Sequence, residues 1–205
     1  MEEDNMKKIL FATGNRSKKK RFEKGLMENG IEVISLKDID LKLESKEKGK
    51  TAIENALIKA REGFKKSHIP TIGMDDTLYL ENVPEEEQPG LFVRRVNGKT
   101  LNDDEMLEHY TNLVKKYGVN GKINCKWVYG LAVINEKGEE STYTWDKAGF
   151  YMVDKLSDKR DPDYPLNSIS KYEKIDKYFT DVTEEEKEKL KVTEDDVVDF
   201  IVGHV

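Results

Sequence analysis

Thr13-Gly14-Asn15 closes a short apolar run, KKILFAT over residues 7–13, and Ser17 and four successive cations (Lys18, Lys19, Lys20 and Arg21) follow one residue later. A buried strand that turns through a glycine into a helix leaves the first N–H groups of that helix without partners, and such a terminus binds anions. Thr13, Asn15 and Lys18 add side-chain donors at the same point, and Gly14 lets a phosphate come close to the backbone. The pattern GxxxxGK[ST] is absent, so the segment is not a P-loop. The same residues also describe an ordinary capped turn, and the four cations a solvated helix face.

Asp75-Asp76 follows a second short apolar run, TIGM over residues 71–74. Adjacent carboxylates on a strand project to opposite sides, so one can face a cleft while the other faces a cap or solvent. Carboxylates at a strand end are also the usual hard-oxygen ligands for Mg²⁺, although an aspartate there equally suits a turn. Glu47 lies in a loop before a capped helix and by itself reads as one more surface glutamate. Lys187 falls in the first turn of a helix opened by Thr183. A cation there opposes the helix dipole by ~0.3–1 kcal/mol, which hints at a role other than helix stability.

The elements that must position these groups are legible from periodicity. Residues 7–13 read as a buried strand, and Ser17 as the N-cap of a helix running to Asn29 and closed by Gly30. Ile31 to Leu36 make the next strand, and residues 37–50 a loop. Thr51 and Glu54 have capping-box spacing, and Ile53, Ala56, Leu57, Ala60 and Phe64 give a helical apolar stripe. TIGM is a short strand, and residues 81–100 an acidic loop. Asn102 and Glu105 open a second strong helix, with a stripe from Met106 to Tyr117. Residues 123–134 and 140–145 are strands joined at Asn135-Glu136-Lys137-Gly138, a hairpin signal, and a further strand lies near Gly149 to Val153. Residues 155–177 read as irregular, and Thr183 and Thr193 each open a short helix. Early alternation of strands and helices, then antiparallel strands, predicts an α/β fold with a mixed sheet.

Composition bounds the function. The 205 residues carry 35 Lys and Arg against 41 Asp and Glu, and a net charge of −6 makes a poor general binder of nucleic acid polymers. Cys125 is the only cysteine, so no intramolecular disulfide forms, which fits a reducing compartment. His68, His109 and His204 form no His/Cys cluster of the kind that holds structural zinc. No apolar stretch approaches the roughly 20 residues that span a bilayer, and the polar start MEEDNMKK does not read as a hydrophobic signal segment. The expectation is one cytoplasmic domain over 1–205, with residues 1–6 a flexible N-terminus and no membrane partner.

Together the segments resemble the inosine triphosphate pyrophosphatase family, the non-standard purine nucleotide pyrophosphatases. Its TGN-x-x-K loop matches Thr13-Gly14-Asn15-Arg16-Ser17-Lys18. Its block E-x-G-x-T-F-x-E-N-A-x-x-K-A matches Glu47 to Ala60 with only the Phe changed, to Ala52. D-D-S/T matches Asp75-Asp76-Thr77, P-G-x-Y/F-x-x-R matches Pro89 to Arg95, and E-L-x-x-E-E-K is similar to Asp181 to Lys187. The resemblance implies an elongated mixed β-sheet with flanking helices, two lobes around a central cleft, and a homodimer. It implies Mg²⁺-dependent hydrolysis of a nucleoside triphosphate to the monophosphate and pyrophosphate. Lys18 with Thr13, Gly14 and Asn15 would hold phosphates. Glu47 and Asp76, with Asp75 alongside, would coordinate Mg²⁺ or orient the attacking water. Thr77, Tyr164 and Lys187 would contact substrate.

The departures gather on the base side. G-F-G-Y/W-D-P corresponds to Asp161-Pro162-Asp163-Tyr164-Pro165-Leu166, and S-H-R to Lys191, Val192 and Thr193. Arg21 stands where the family has glutamate, before the retained Phe22. A site that reads a polar group by hydrogen bonding loses about 10⁴–10⁵ in discrimination without those bonds. The implied substrate is therefore a non-standard or modified nucleotide, or a loosely read one. The alternative is a nucleotide-binding or sensing protein that no longer catalyses.

Overall fold

The computed structural model describes residues 6–162, 164–190 and 193–205. The first five residues, Asp163, Lys191 and Val192 lie outside the described residues. Most of the expected flexible N-terminus and part of the two rewritten base motifs therefore go undescribed.

The chain runs β1 (Lys7–Phe11), α1 (Arg16–Glu28), β2 (Ile31–Ser35), α2 (Ala52–Ser67), β3 (Thr71–Leu80), β4 (Arg95–Val96), β5 (Lys99–Thr100), α3 (Asp103–Tyr117), β6 (Lys122–Ile134), β7 (Glu140–Val153), β8 (Ser170–Tyr172), β9 (Lys177–Tyr178), α4 (Glu184–Leu190) and α5 (Asp195–His204). Seven strands form one mixed sheet in the order β2-β1-β3-β6-β7-β8-β9, and β4 and β5 make a separate hairpin. β1 pairs in parallel with both β2 and β3, while β7, β8 and β9 pair antiparallel. The α/β class and the mixed sheet with helices match the sequence expectation.

The chain divides into two compact units. Unit 1 comprises Met1–Asp76, Tyr129–Trp145 and Glu194–Val205, and unit 2 comprises Thr77–Val128 and Asp146–Thr193. In unit 1, Ile9, Leu10, Phe11 and Ala12 are fully buried, as a parallel strand between two others must be. In unit 2, a core of Leu78, Leu80, Met106, Tyr110, Leu113, Phe150, Met152 and Ile169 collects under α3.

Several boundaries differ from expectation. The helix α1 is capped by Asn15, whose side chain accepts from the Ser17 N–H at 2.9 Å, so Ser17 lies inside the helix and is buried. β3 does not stop at Met74 but runs through Asp75 and Asp76 to Leu80, because Leu78 and Leu80 find their own core. The two carboxylates are mid-strand residues. Residues 140–153 are one 14-residue strand, β7. Residues 155–177 contain a 3₁₀ turn at Pro165–Ser168 and the short β8. The last helix is preceded by Glu194, not capped by Thr193.

The helix α2 also turns a different face inward. Its buried positions are Ala52, Asn55, Ala56, Ala60 and Gly63, while Ile53, Leu57 and Phe64 are only partly covered. Small residues win the inner face because the helix lies almost on the strands. A Cβ on Gly73 of β3 would stand 2.0 Å from the Ala56 carbonyl oxygen, and one on Gly130 of β6 2.4 Å from the Ile53 nitrogen. Larger apolar side chains fit only at the flanks.

The loop before α2 is tied to that helix. Glu62 accepts from the backbone N–H of Glu44 at 2.7 Å and of Ser45 at 2.9 Å, from the Ser45 hydroxyl, and pairs with Lys66 at 2.8 Å. Partial burial works against its charge, but the bonds to Lys66, Ser45 and Glu44 outweigh it and hold the carboxyl down at about 2. A depressed carboxyl stabilises the fold above its unfolded value and loses that contribution as pH falls through its folded value. Acid loosening of residues 41–50 is therefore expected between about pH 4.5 and about 2. Glu62→Gln should reduce the loss of stability on acidification and cost about 1–2 kcal/mol at neutral pH. Urea midpoints for both proteins at pH 7 and pH 3 check this. Equal losses for both on acidification would show that another group carries the effect.

Candidate active site

The site in unit 1 grows from the end of β1, the middle of β3 and two helices. β1 leads through Ala12 and Thr13 into the Gly14 turn, where the Asn15 N–H donates to Thr13 Oγ1 at 3.1 Å. A Cβ on Gly14 would meet nothing within 4 Å, so the turn presents its backbone to open space. The first turn of α1 carries no acidic residue to offset its exposed N–H groups. That leaves an electropositive terminus with Lys18 in its first turn.

Lys18 donates to Asp76 Oδ1 and also lies 3.7 Å from Asp75 Oδ1, with its side chain only 13% exposed. Burial works against the ammonium charge. The Asp76 and Asp75 carboxylates outweigh that, and Lys18 is held above the ordinary lysine range. It is therefore charged throughout the neutral range, as a phosphate-binding lysine must be.

Asp75 is buried and faces α2. Its Oδ2 accepts from Asn55 Nδ2 at 2.9 Å, and its Oδ1 lies 3.3 Å from the Lys59 ammonium. Lys59 also reaches Glu47 at 2.8 Å and the Met74 carbonyl at 3.3 Å. The other end of the Asn55 side chain accepts from the Gly49 N–H at 2.8 Å. One asparagine thus fixes both the buried carboxylate and the loop that carries Glu47. Thr51 caps α2 through the Glu54 N–H at 3.3 Å, and Glu54 accepts from the Lys50 N–H at 2.6 Å, which accounts for Glu54 structurally.

The block Glu47-x-Gly49…Asn55…Lys59 is therefore a positioning device, with residues on one helix face and in the preceding loop. Asn55 and Lys59 were not singled out by residue type alone. Their spacing of four on one helix face, pointing at the Asp75 strand, is the signal that finds them. Asn55→Leu should leave Asp75 Oδ2 and the Gly49 N–H without partners and cost about 2 kcal/mol. It should also release the Glu47 loop, read as increased backbone exchange over residues 46–50. Unchanged stability and exchange would remove Asn55 from this role.

Glu47, Asp75 and Asp76 are linked through the Lys18 and Lys59 ammonium groups. They do not converge on one another, and among the described residues no three His, Cys, Asp or Glu side chains are gathered as a metal site. Their chemistry nonetheless suits a hard divalent cation. All three offer carboxylate oxygens, and apart from Asn55 on Asp75 the groups that pair with them are flexible lysines.

The remaining expected residues lie in unit 2. Thr77 is buried in β3, immediately after Asp76. Tyr164 precedes the 3₁₀ turn at 165–168, with its N–H donating to Asp161 Oδ1 at 3.1 Å. Lys187 pairs with Glu184 at 2.7 Å, three residues back on α4. Thr183 and Glu186 form a reciprocal cap at the start of that helix, at 3.0 and 3.3 Å.

A family model described as the Ham1 family matches residues 9–193, nine tenths of the chain. The chain belongs to the Ham1 family. The likeness to nucleotide pyrophosphatases read from the TGN and E-N-A blocks is thereby borne out. Among curated relatives, the dITP/XTP pyrophosphatase of Leptospira interrogans serovar copenhageni is 31% identical over 135 residues, 66% of each chain. The dITP/XTP pyrophosphatase of Haemophilus influenzae is 41% identical over 97 residues, 47% of this chain and 48% of that one. That of Vibrio parahaemolyticus is 36% identical over 103 residues, 50% of each. The Ham1 chain thus matches between about half and just under two thirds of the length of these curated relatives. Among solved structures, the Staphylococcus aureus Ham1 protein superposes with a TM-score of 0.74 at 19% identity, over 97% of this chain and 100% of that one. A Ham1 protein from Coxiella burnetii gives 0.73 at 19% identity, over 98% and 100%. These likenesses establish the fold. No helix among the described residues is long and apolar enough to cross a membrane.

Proposed function

We propose that this Ham1 protein hydrolyses a nucleoside triphosphate to the monophosphate and pyrophosphate, at the site built on Lys18, Glu47, Asp75 and Asp76. The observation that carries the reading is the network itself. A charged lysine stands in the first turn of a helix and contacts a carboxylate pair, and a second lysine links that pair to Glu47. Phosphoryl transfer needs little covalent help from the protein, so positioning and charge neutralisation are most of the catalysis.

Each residue then has a task. The N–H groups of the Gly14 turn, with Thr13 and Asn15, receive phosphate oxygens, and Lys18 neutralises their charge. Asp76 accepts the proton of the attacking water. Asp75, locked by Asn55 and Lys59, holds the strand position of its neighbour. Glu47, Asp76 and Asp75 would hold Mg²⁺, which supplies charge neutralisation at the phosphates. Substrate contacts from Thr77, Tyr164 and Lys187 follow from the family resemblance. The pyrophosphatase names of the relatives support the reaction class. The rewritten 161–166 and 191–193 segments favour a non-standard or modified base in a nucleotide-cleansing role. A homodimer in the cytoplasm accords with that role.

Pyrophosphate release with Mg²⁺ across standard, deaminated and base-modified triphosphates tests the reading. Release from at least one is expected, with inosine triphosphate not strongly preferred. Strong rejection of everything but inosine triphosphate would overturn the altered base pocket. Binding without release from any member would replace the enzyme with a nucleotide sensor.

A further inference from the structure

Arg21 lies three residues beyond Lys18 on α1, which puts the two on neighbouring surface positions of the helix. It occupies the position where the sequence blocks lead one to expect glutamate. Its guanidinium makes a two-pronged pair with Glu194, the residue that precedes α5, with Nε and one Nη each donating to a different carboxylate oxygen. The pair is well covered, with side chains 18% and 21% exposed. The guanidinium also lies 4.4 Å from the Tyr129 ring centroid, 5.6 Å from Phe22 and 5.9 Å from Trp145. Tyr129 and Trp145 are themselves stacked at 4.9 Å, and Phe22 meets Trp145 edge-on at 6.5 Å. All of these residues belong to unit 1.

This is more than a helix needs to lie on a sheet. α1 already buries Phe22 and Leu26 completely. The guanidinium adds a directional lock that an apolar side chain cannot give, because a fork-to-carboxylate pair fixes distance and angle together. The lock sits on the same helix as Lys18, three residues further along. Burial raises the Tyr129 phenol first, Arg21 opposes that, and the Asp76 and Glu194 carboxylates both add to it. Arg21 in turn works against the Lys18 charge, after the larger effects of burial and of Asp76 and Asp75.

We propose that Arg21, clamped by Glu194 on the Tyr129–Trp145 platform, is a positioning residue that sets the α1 N-terminal turn and Lys18 against Asp76, so that the C-terminal helix takes part in site geometry. The proposal rests on the pyrophosphatase reading for its kinetic consequence and on the fold alone for its structural one. A two-pronged stacked arginine is not replaced by a point charge, so Arg21→Lys keeps the charge and loses the lock. Glu194→Gln keeps the shape and loses the anion.

The experiment measures amide hydrogen exchange in both variants without nucleotide, and kcat and KM with the best triphosphate. Exchange should rise over residues 13–20 in both variants, and kcat should fall about tenfold with KM changed less than about threefold, since the loss is in transition-state alignment. Exchange that rises only over 195–204, with kcat at the wild-type value, would overturn the proposal and leave a plain helix anchor. Exchange unchanged over 13–20 overturns it whatever the kinetics. If the wild-type protein releases no pyrophosphate from any triphosphate while exchange over 13–20 still rises in the variants, the positioning role stands and the pyrophosphatase reading falls.

Discussion

Asp76→Asn should lower pyrophosphate release by about 10²–10⁴-fold, the usual worth of a positioned general base. The substitution keeps the size of the side chain and removes its ability to take a proton. Asp75 cannot take over, because its Oδ2 is engaged by Asn55 and its Oδ1 lies against Lys59. Lys18 would keep Asp75 at 3.7 Å but lose its closer anion. The freed ammonium should then bind phosphate at least as well, so nucleotide affinity is expected to hold or rise while kcat collapses. Calorimetric binding beside steady-state kinetics separates the two. A variant with wild-type kcat would move the base to another group, and loss of binding with unchanged kcat would make Asp76 a substrate anchor.

Gly73→Ala should cost about 3 kcal/mol or more, in the upper range for overpacking. The added Cβ would stand 2.0 Å from the Ala56 carbonyl oxygen, 2.8 Å from the Ala60 nitrogen and 3.0 Å from the Ala56 carbonyl carbon. All three are helix backbone, with no flexible side chain to give way. Relief requires α2 to lift from β3, which draws Asn55 and Lys59 away from Asp75. Stability and activity should therefore fall together. Gly14→Ala makes the contrast, since its Cβ meets nothing within 4 Å. It should leave the urea midpoint within experimental scatter while weakening triphosphate binding at the turn. Equal stability loss in the two variants would mean that the close approach of α2 to β3 is not what Gly73 serves.

Much of the site was legible in the residues. The strand–TGN–helix turn, the lysine within it and the carboxylate pair were each visible from type and spacing, and the structure brings Lys18, Asp75 and Asp76 into contact. Glu47 joined them only through the E-x-G-x-T…E-N-A block, because a loop glutamate carries no local signal. Helix starts at Thr51 and Asn102 were legible because capping is a short-range hydrogen bond. Ser17 misled, since Asn15 two residues earlier offers the same chemistry and the wider turn chose it.

The sequence by itself determined the alternation of elements, the capped helices, the anion-binding turn and the family, because these depend on neighbours a few residues apart or on blocks read in order. Only the tertiary structure decided the rest. It ran β3 on past Asp76, because burial of Leu78 and Leu80 in a second core outweighs the turn preference of two aspartates. It chose Ala, Asn and Gly for the inner face of α2, because the approach of two strand glycines leaves no room for larger side chains. And it gave Arg21 an anion from residue 194 and a ring from residue 129, partners that no local pattern can foretell because folding alone brings them together.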